Sequence, residues 1–170
     1  VLHHGKPATA DDAWWRARLL TALHRRDGLF DAQTTGYRCL SGESDGWPGL
    51  VLDRYGSTFV LKLYSAIWLP RVSEVVSWLR EALQPNCLVL RLSRNIQLLA
   101  EKDFTLRDGQ VLMGAAPDGP VVFLETGIRF EAEVIRGQKT GFFYDQRPNR
   151  AMVVSTDAMA ARTSETSACT

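Results

Sequence analysis

A chain of 170 residues, 45% of them apolar, is long enough to bury one substantial core and too short for two large ones. Twenty Lys and Arg against nineteen Asp and Glu leave a formal charge of +1, so no global field draws the chain to nucleic acid or to an anionic membrane, and any basic surface has to be local. Cys39, Cys87 and Cys169 are odd in number, widely spaced and without a CxxC pair, which argues against a disulfide framework or a zinc site and for a reducing compartment. No apolar run reaches the length of a membrane span, and VLHHGKPATADD lacks the apolar core of a signal peptide. The first residue is not Met, so the start of the natural chain is expected upstream.

Residues 9–27 open with Thr and Asp suited to capping and carry Trp15, Leu19, Ala22 and Leu23 at helical spacing. They predict one amphipathic helix, with Arg16, Arg18, Arg25 and Arg26 on a solvated face and Gly28 ending it. A short strand is expected over 37–40, followed by the glycine-rich break SGESDGWPG. LVLDRYG and STFVLKLY read as two strands of a hairpin joined at Tyr55, Gly56 and Ser57. In LPRVSEVVSWLREAL the stripe of Leu69, Val72, Val75, Val76, Leu79 and Leu83 predicts a helix, with Pro70 in its first turn and Pro85 and Asn86 beyond its end. CLVLRLS is a buried-strand pattern, QVLMG and PVVFLET add short strands, and residues 128–134 alternate as a half-buried strand. The order describes a compact α+β domain: an N-terminal helix, then strand–strand–helix–strand–strand, with a sheet that one helix covers. Composition predicts disorder beyond about Met159.

Glu43, Asp45 and Asp53 raise the question of paired carboxylates for acid–base or metal chemistry, but acidic glycine-rich loops are more often turns, and the later positions of an EF-hand are absent. His3 and His4 have no further ligands in view, and no nucleophile elbow, GxGxxG or Walker loop occurs. The most distinctive chemistry is GQKTGFFYDQRPNR, residues 137–150. Arg136, Lys139, Arg147 and Arg150 against Asp145 make a local charge of +3, interleaved with Phe142, Phe143 and Tyr144. Cations beside aromatics suit stacking on a base or an adenine ring, with Asp145 and Gln146 free to bond hydroxyls or a cationic ligand. The same residues equally suit a strand-to-helix junction, with both phenylalanines in the core, Asp145 as a cap before Pro148, and solvated arginines.

YRCLSGESDGWPGLVLDRYG and GQKTGFFYDQRPNR closely resemble the two hallmark segments of the ribosomal RNA large-subunit methyltransferase I family, S-adenosylmethionine-dependent enzymes that methylate carbon 5 of cytosine. Trp47, Tyr144 and Arg136 stand where the family has Leu, Leu and His, and the match runs in order from about Ala13 to Arg150. In that family an RNA-binding PUA domain precedes a middle α+β domain, and a Rossmann-like methyltransferase domain follows. The resemblance implies a division into 1–27, 28–135, 136–152 and a tail, 153–170. It makes residues 137–150 the link into the catalytic domain, with Lys139, Thr140, Gly141, Phe142, Phe143, Asp145, Gln146, Arg147 and Asn149 near the S-adenosylmethionine site.

The family continues after this link through a glycine-rich turn and, much later, a catalytic cysteine; here VVSTDAMAARTSETSACT follows instead, and none of the three cysteines stands at that nucleophile's position. The expectation is therefore a catalytically incomplete piece of a ribosomal RNA methyltransferase, with ribosomal RNA as partner of the intact enzyme, no membrane, no metal, a homodimer left open, and a cytoplasmic or organellar setting. The competing reading is a non-catalytic RNA-binding or protein-interaction module, whose RNA affinity would fall on changing Arg147 and Arg150.

Overall fold

The computed structural model describes residues 9–150 and 152, so the expected disordered tail, Cys169 and the His3–His4 pair lie outside the described residues. Helix α1 spans Asp12–His24, and the Asp11 carboxylate opens it by accepting a hydrogen bond from the Trp14 amide at 2.9 Å. Trp15, Leu19 and Ala22 form its buried stripe. Strand β1 (Gly36–Ser41) pairs antiparallel with β2 (Leu50–Tyr55), which turns through Gly56 and Ser57 into antiparallel β3 (Thr58–Leu63). Helix α2 (Val72–Leu83) then carries the chain to β4 (Cys87–Leu92), parallel to β3. Helix α3 (Arg94–Phe104) leads to β5 (Val111–Gly114), antiparallel to β4. The five strands lie in sequence order in one sheet, and β6 (Val121–Glu125) and β7 (Ile128–Ala132) form a separate hairpin.

The α+β class expected from the sequence is the architecture observed, but three details differ. First, α3 has no counterpart in the predicted order. Ile96, Leu99, Ala100 and Phe104 do recur at helical spacing in it, but the stripe is short and only Ile96 and Ala100 are buried, while Leu98 points to solvent. Second, the α2 stripe is as predicted, yet the helix proper begins at Val72. Leu69 and Pro70 belong to a preceding 3-10 turn, Ala66–Arg71, where the missing Pro donor is equally harmless. Third, the large sheet is covered on both faces rather than by one helix.

Side chains alternate across a strand. On one face Leu50, Leu52, Phe59, Leu61, Leu63, Leu88, Leu90 and Leu92 pack under the three helices with Trp15, Trp47, Trp68 and Trp78. Tyr55, Val60, Cys87 and Val89 point the other way, toward Phe123 of β6, Ala132 of β7 and Val134. The second face also holds buried charge at Asp53, Lys62 and Arg91.

The arginines of the first helical segment are not the solvated face expected of them. Arg26 forks onto Asp45 with Nη1–Oδ1 and Nη2–Oδ2 distances of 2.8 and 2.7 Å, Arg25 reaches the same carboxylate at 3.1 Å, and Arg16 pairs with Asp12 and Glu81. The guanidinium of Arg18 lies 4.3 Å from the centre of the Trp14 ring. Burial pushes the Asp45 carboxyl up, but Arg26 and the Ser41 amide outweigh it and hold the group below its ordinary value. The Arg25 and Arg26 pairs fasten the end of α1 to the acidic loop after β1, and the Arg16–Glu81 pair ties α1 to α2.

Candidate cofactor-bordering segment

Residues 133–150 fold back across the second face of the sheet. Leaving β7, the chain makes a tight reversal in which the Gly137 amide donates to the Glu133 carbonyl at 3.0 Å. A Cβ on Gly137 would sit 2.1 Å from that oxygen, and Gly141, at φ +110°, closes on the same carbonyl, so both positions require glycine. Lys139 lies between them in the left-handed region at φ +54°.

Two locks hold the segment. In the first, the buried Thr140 donates its hydroxyl to Asp53 Oδ2 at 2.6 Å and accepts from Tyr55 at 3.1 Å, while Arg38 forks onto the same carboxylate at 2.8 and 3.0 Å. Tyr144 stacks on Tyr55 and donates to the Arg54 carbonyl at 2.5 Å. Burial pushes both phenols well above their ordinary range, so they remain protonated donors. In the second lock, Glu125 at the end of β6, only 3% exposed, receives Arg150 Nε at 2.7 Å and Arg147 Nε at 3.0 Å. Burial pushes the Glu125 carboxyl up, but the hydrogen bonds from Arg150 and Arg147 outweigh it and hold the group below its ordinary value. Arg147 also donates to the Gly36 carbonyl and Arg150 to the Phe143 carbonyl, at 2.6 and 2.8 Å.

The nine residues singled out in the sequence are thereby sorted into two groups. Thr140, Gly141, Phe142 and Arg147 look inward: Phe142 packs on Phe123, Phe130 and Tyr144, and Arg147 is committed to Glu125. Lys139, Phe143, Asp145, Gln146 and Asn149 are exposed. The Lys139 ammonium sits 4.3 Å from the Phe143 ring centre and 3.9 Å from Asp145, and Asn149 donates to Gln146 at 2.6 Å. Of the two phenylalanines expected to be poorly buried, Phe143 is 39% exposed, whereas Phe142 is largely enclosed. Asp145 lies in a 3-10 turn, Tyr144–Gln146, whose start has no side-chain cap, and residues 147–150 begin a helix with Pro148 at its second position.

Arg147 and Arg150 are not solvated cations awaiting a phosphate, because both pair with one carboxylate, whereas Arg136 is exposed. Glu43, Asp45 and Asp53 do not converge: Glu43 accepts from the Gly49 amide, and each aspartate has its own arginine. Among the described residues no group of three or more His, Cys, Asp or Glu could hold a metal ion. Among the described residues no helix is long and apolar enough to cross a membrane. Sequence reasoning missed Glu125 and the Thr140–Asp53 bond as the locks. A carboxylate inside the apolar run VVFLE signals that a cation must meet it, but not which one.

No protein-family model matches the chain. It is 52% identical over 158 residues to the ribosomal RNA large subunit methyltransferase of Deinococcus radiodurans, a match that covers 90% of this chain and 38% of that protein. It is 36% identical to ribosomal RNA large subunit methyltransferase I of Shewanella frigidimarina and 35% to that of Aeromonas salmonicida, covering 36% and 37% of them. The chain thus spans little more than a third of these curated relatives. Among solved structures it superposes with a TM-score of 0.70 on a candidate SAM-dependent methyltransferase from Streptococcus mutans, at 20% identity, covering 85% of this chain and 36% of the other. A candidate methyltransferase complexed with SAH superposes with the same score, identity and coverage. At that identity the likeness establishes the fold.

Proposed function

We propose that this chain, which belongs to the ribosomal RNA large subunit methyltransferase I family over the segment it spans, presents one wall of the S-adenosylmethionine site of an RNA cytosine methyltransferase. The observation that carries the reading is the double lock. Thr140 on Asp53, and Arg147 and Arg150 on Glu125, immobilise residues 137–150 while leaving Lys139, Phe143 and Asp145 exposed side by side. An aromatic face, a cation and a carboxylate fit the adenine ring, the carboxylate and the hydroxyl or amino groups of such a cofactor. The cofactor supplies the methyl group from its sulfonium. The chain's exposed residues bind and orient it, and Thr140, Gly141, Phe142 and Arg147 hold them in place.

Residues 28–135 act as the middle domain in this reading and 136–152 as the entry to the catalytic domain. The spanned segment supports the chemistry rather than performing it. Cys39 and Cys87 are buried, and burial pushes the Cys39 thiol up to about 12 and raises that of Cys87, so neither is a poised nucleophile. Ribosomal RNA as partner and a cytoplasmic setting belong to the same proposal.

The test joins residues 1–150 to the part of the Deinococcus radiodurans relative that follows its matching segment. Methyl transfer to ribosomal RNA is expected from the fusion and none from the chain alone. In the fusion, Asp145→Ala should weaken S-adenosylmethionine binding about tenfold without lowering the melting temperature, since Asp145 is exposed. Unchanged cofactor affinity in that variant and in Phe143→Ala would sink the assignment.

A further inference from the structure

We propose that the cleft between the α1–β1 connection and the β6–β7 turn binds an unpaired guanine of RNA. The connection is tied to the turn by Gly127 N to Gln33 O at 2.8 Å, Thr126 N to Thr34 Oγ1 at 3.1 Å and a Thr35–Leu124 pair, which fixes two walls. Between them and Arg147 opens a cleft of about 660 Å3. That lies within the ~300–1,000 Å3 of small-molecule sites and is ample for a nucleotide.

Its lining is a base-reading set. Phe30 is stacked on Tyr37, with ring centres 4.3 Å apart, and Arg147 lies 5.0 Å from the Phe30 ring centre. Leu29, beside it, is 66% exposed. Three polar groups are not used up within the protein. Asp31 accepts from the Gln33 amide through Oδ1 alone, leaving Oδ2. The Gln33 side-chain amide makes no hydrogen bond among the described residues, and Arg147 spends Nε and Nη2 but not Nη1.

Charge argues against a bare phosphate. Arg147 and Arg150 are balanced by Glu125 together with Asp31, so the cleft suits a neutral ligand with both donors and acceptors. Guanine alone among the bases offers two adjacent donors, N1–H and N2–H, to a carboxylate and two acceptors, O6 and N7, to a guanidinium or amide. An unpaired base in RNA has these edges free. That the base comes from RNA rests on the function proposed above; the cleft itself does not depend on the cofactor.

Amide NMR of this chain, without S-adenosylmethionine, tests it using GMP, AMP, CMP and ribose 5-phosphate. GMP should shift the Gln33 side-chain and Gly127 backbone signals, AMP and CMP should bind several-fold more weakly, and ribose 5-phosphate should leave both unmoved. A single-stranded hexanucleotide with one guanine should shift the same signals at a concentration no higher than GMP requires. Asp31→Asn and Gln33→Ala, both at exposed positions, should each weaken GMP about tenfold with the melting temperature unchanged. Equal shifts from ribose 5-phosphate, no shifts from GMP, unchanged GMP affinity in both variants, or GMP binding that the hexanucleotide does not reproduce would each overturn the proposal. None of these outcomes bears on the cofactor test, which reads a different ligand.

Discussion

The two faces of the five-stranded sheet solve burial by opposite means. The helical face is closed by four tryptophans: Trp15 lies 4.9 Å from Trp47, 5.1 Å from Trp68 and 6.1 Å from Trp78, ring centre to ring centre. Only Trp68 and Trp78 find acceptors, at Pro48 O and Asp12 Oδ1, and the indole donors of Trp15 and Trp47 have none among the described residues. The opposite face is part aromatic and part ionic, and on it the charges hold down the segment that carries the candidate site. A dry packed face tolerates stranded donors because rings fill space well. A face that must position a loop needs direction, which hydrogen-bonded ion pairs provide and apolar contacts do not.

The contrast can be broken most severely on the tryptophan side. Trp47→Ala should cost about 4 kcal/mol in chemical denaturation by emptying the middle of the cluster. Trp47→Leu should cost only about 1 kcal/mol, because it also removes a buried donor with no acceptor. Equal losses in the two variants would mean that the indole is better satisfied than the geometry indicates.

On the ionic side, Glu125→Gln keeps the volume but strands two partly buried guanidiniums, at a cost of about 3 kcal/mol. The loss should appear as faster hydrogen exchange across residues 137–150, with the protection of α2 and β4 reduced much less. Uniform loss across the fold would show that the lock and the core are one cooperative unit.

Acid should reach the same lock more gently. The folded Glu125 carboxyl titrates below its ordinary value of 4.5, so its contribution is complete above that pH and is lost as pH falls through the lower folded value. Exchange in 137–150 should therefore accelerate on acidification in the native chain, and this component should be missing from Glu125→Gln.

The smallest effect is expected at Lys62, 8% exposed, whose ammonium donates to Leu92 O at 2.8 Å and has no carboxylate within ion-pair distance among the described residues. Burial lowers its affinity for the proton below the ordinary 10.5, so at this site the unfolded chain holds more protons and Lys62 contributes a rise in stability with alkaline pH, which offsets part of the fall expected from the buried Cys39, Tyr55 and Tyr144, whose affinities for the proton are raised. Lys62→Met should change stability by less than about 1 kcal/mol near neutrality and steepen the alkaline fall by removing that offset. A marked loss in Lys62→Met would identify the ammonium as a structural tie.

Much of the fold is legible along the chain because local periodicity encodes it. The Trp15–Leu19–Ala22 and Leu69–Leu83 stripes, the alternation of 128–134 and the turn at Gly56 each put a face or a reversal into adjacent residues. Helix α3 is only faintly legible, as the short stripe Ile96, Leu99, Ala100 and Phe104, of which Ile96 and Ala100 are buried while Leu98 faces outward. The site is legible as a segment and not as a mechanism of positioning. GQKTGFFYDQRPNR declares its aromatics and cations, but whether Arg147 and Arg150 face a ligand or a protein carboxylate depends on Glu125, 22 and 25 residues away. Thr140 looks like any small polar residue until Asp53, 87 residues earlier, is found beneath it. What the sequence by itself determined is the α+β class, the likeness to the ribosomal RNA large subunit methyltransferases and the run of aromatics and cations at 137–150, all written in short-range pattern. What only the tertiary structure decided is which of those residues turn inward and which stay exposed, because a buried charge takes its place from its partner, and partners far apart in sequence meet only when the sheet has formed.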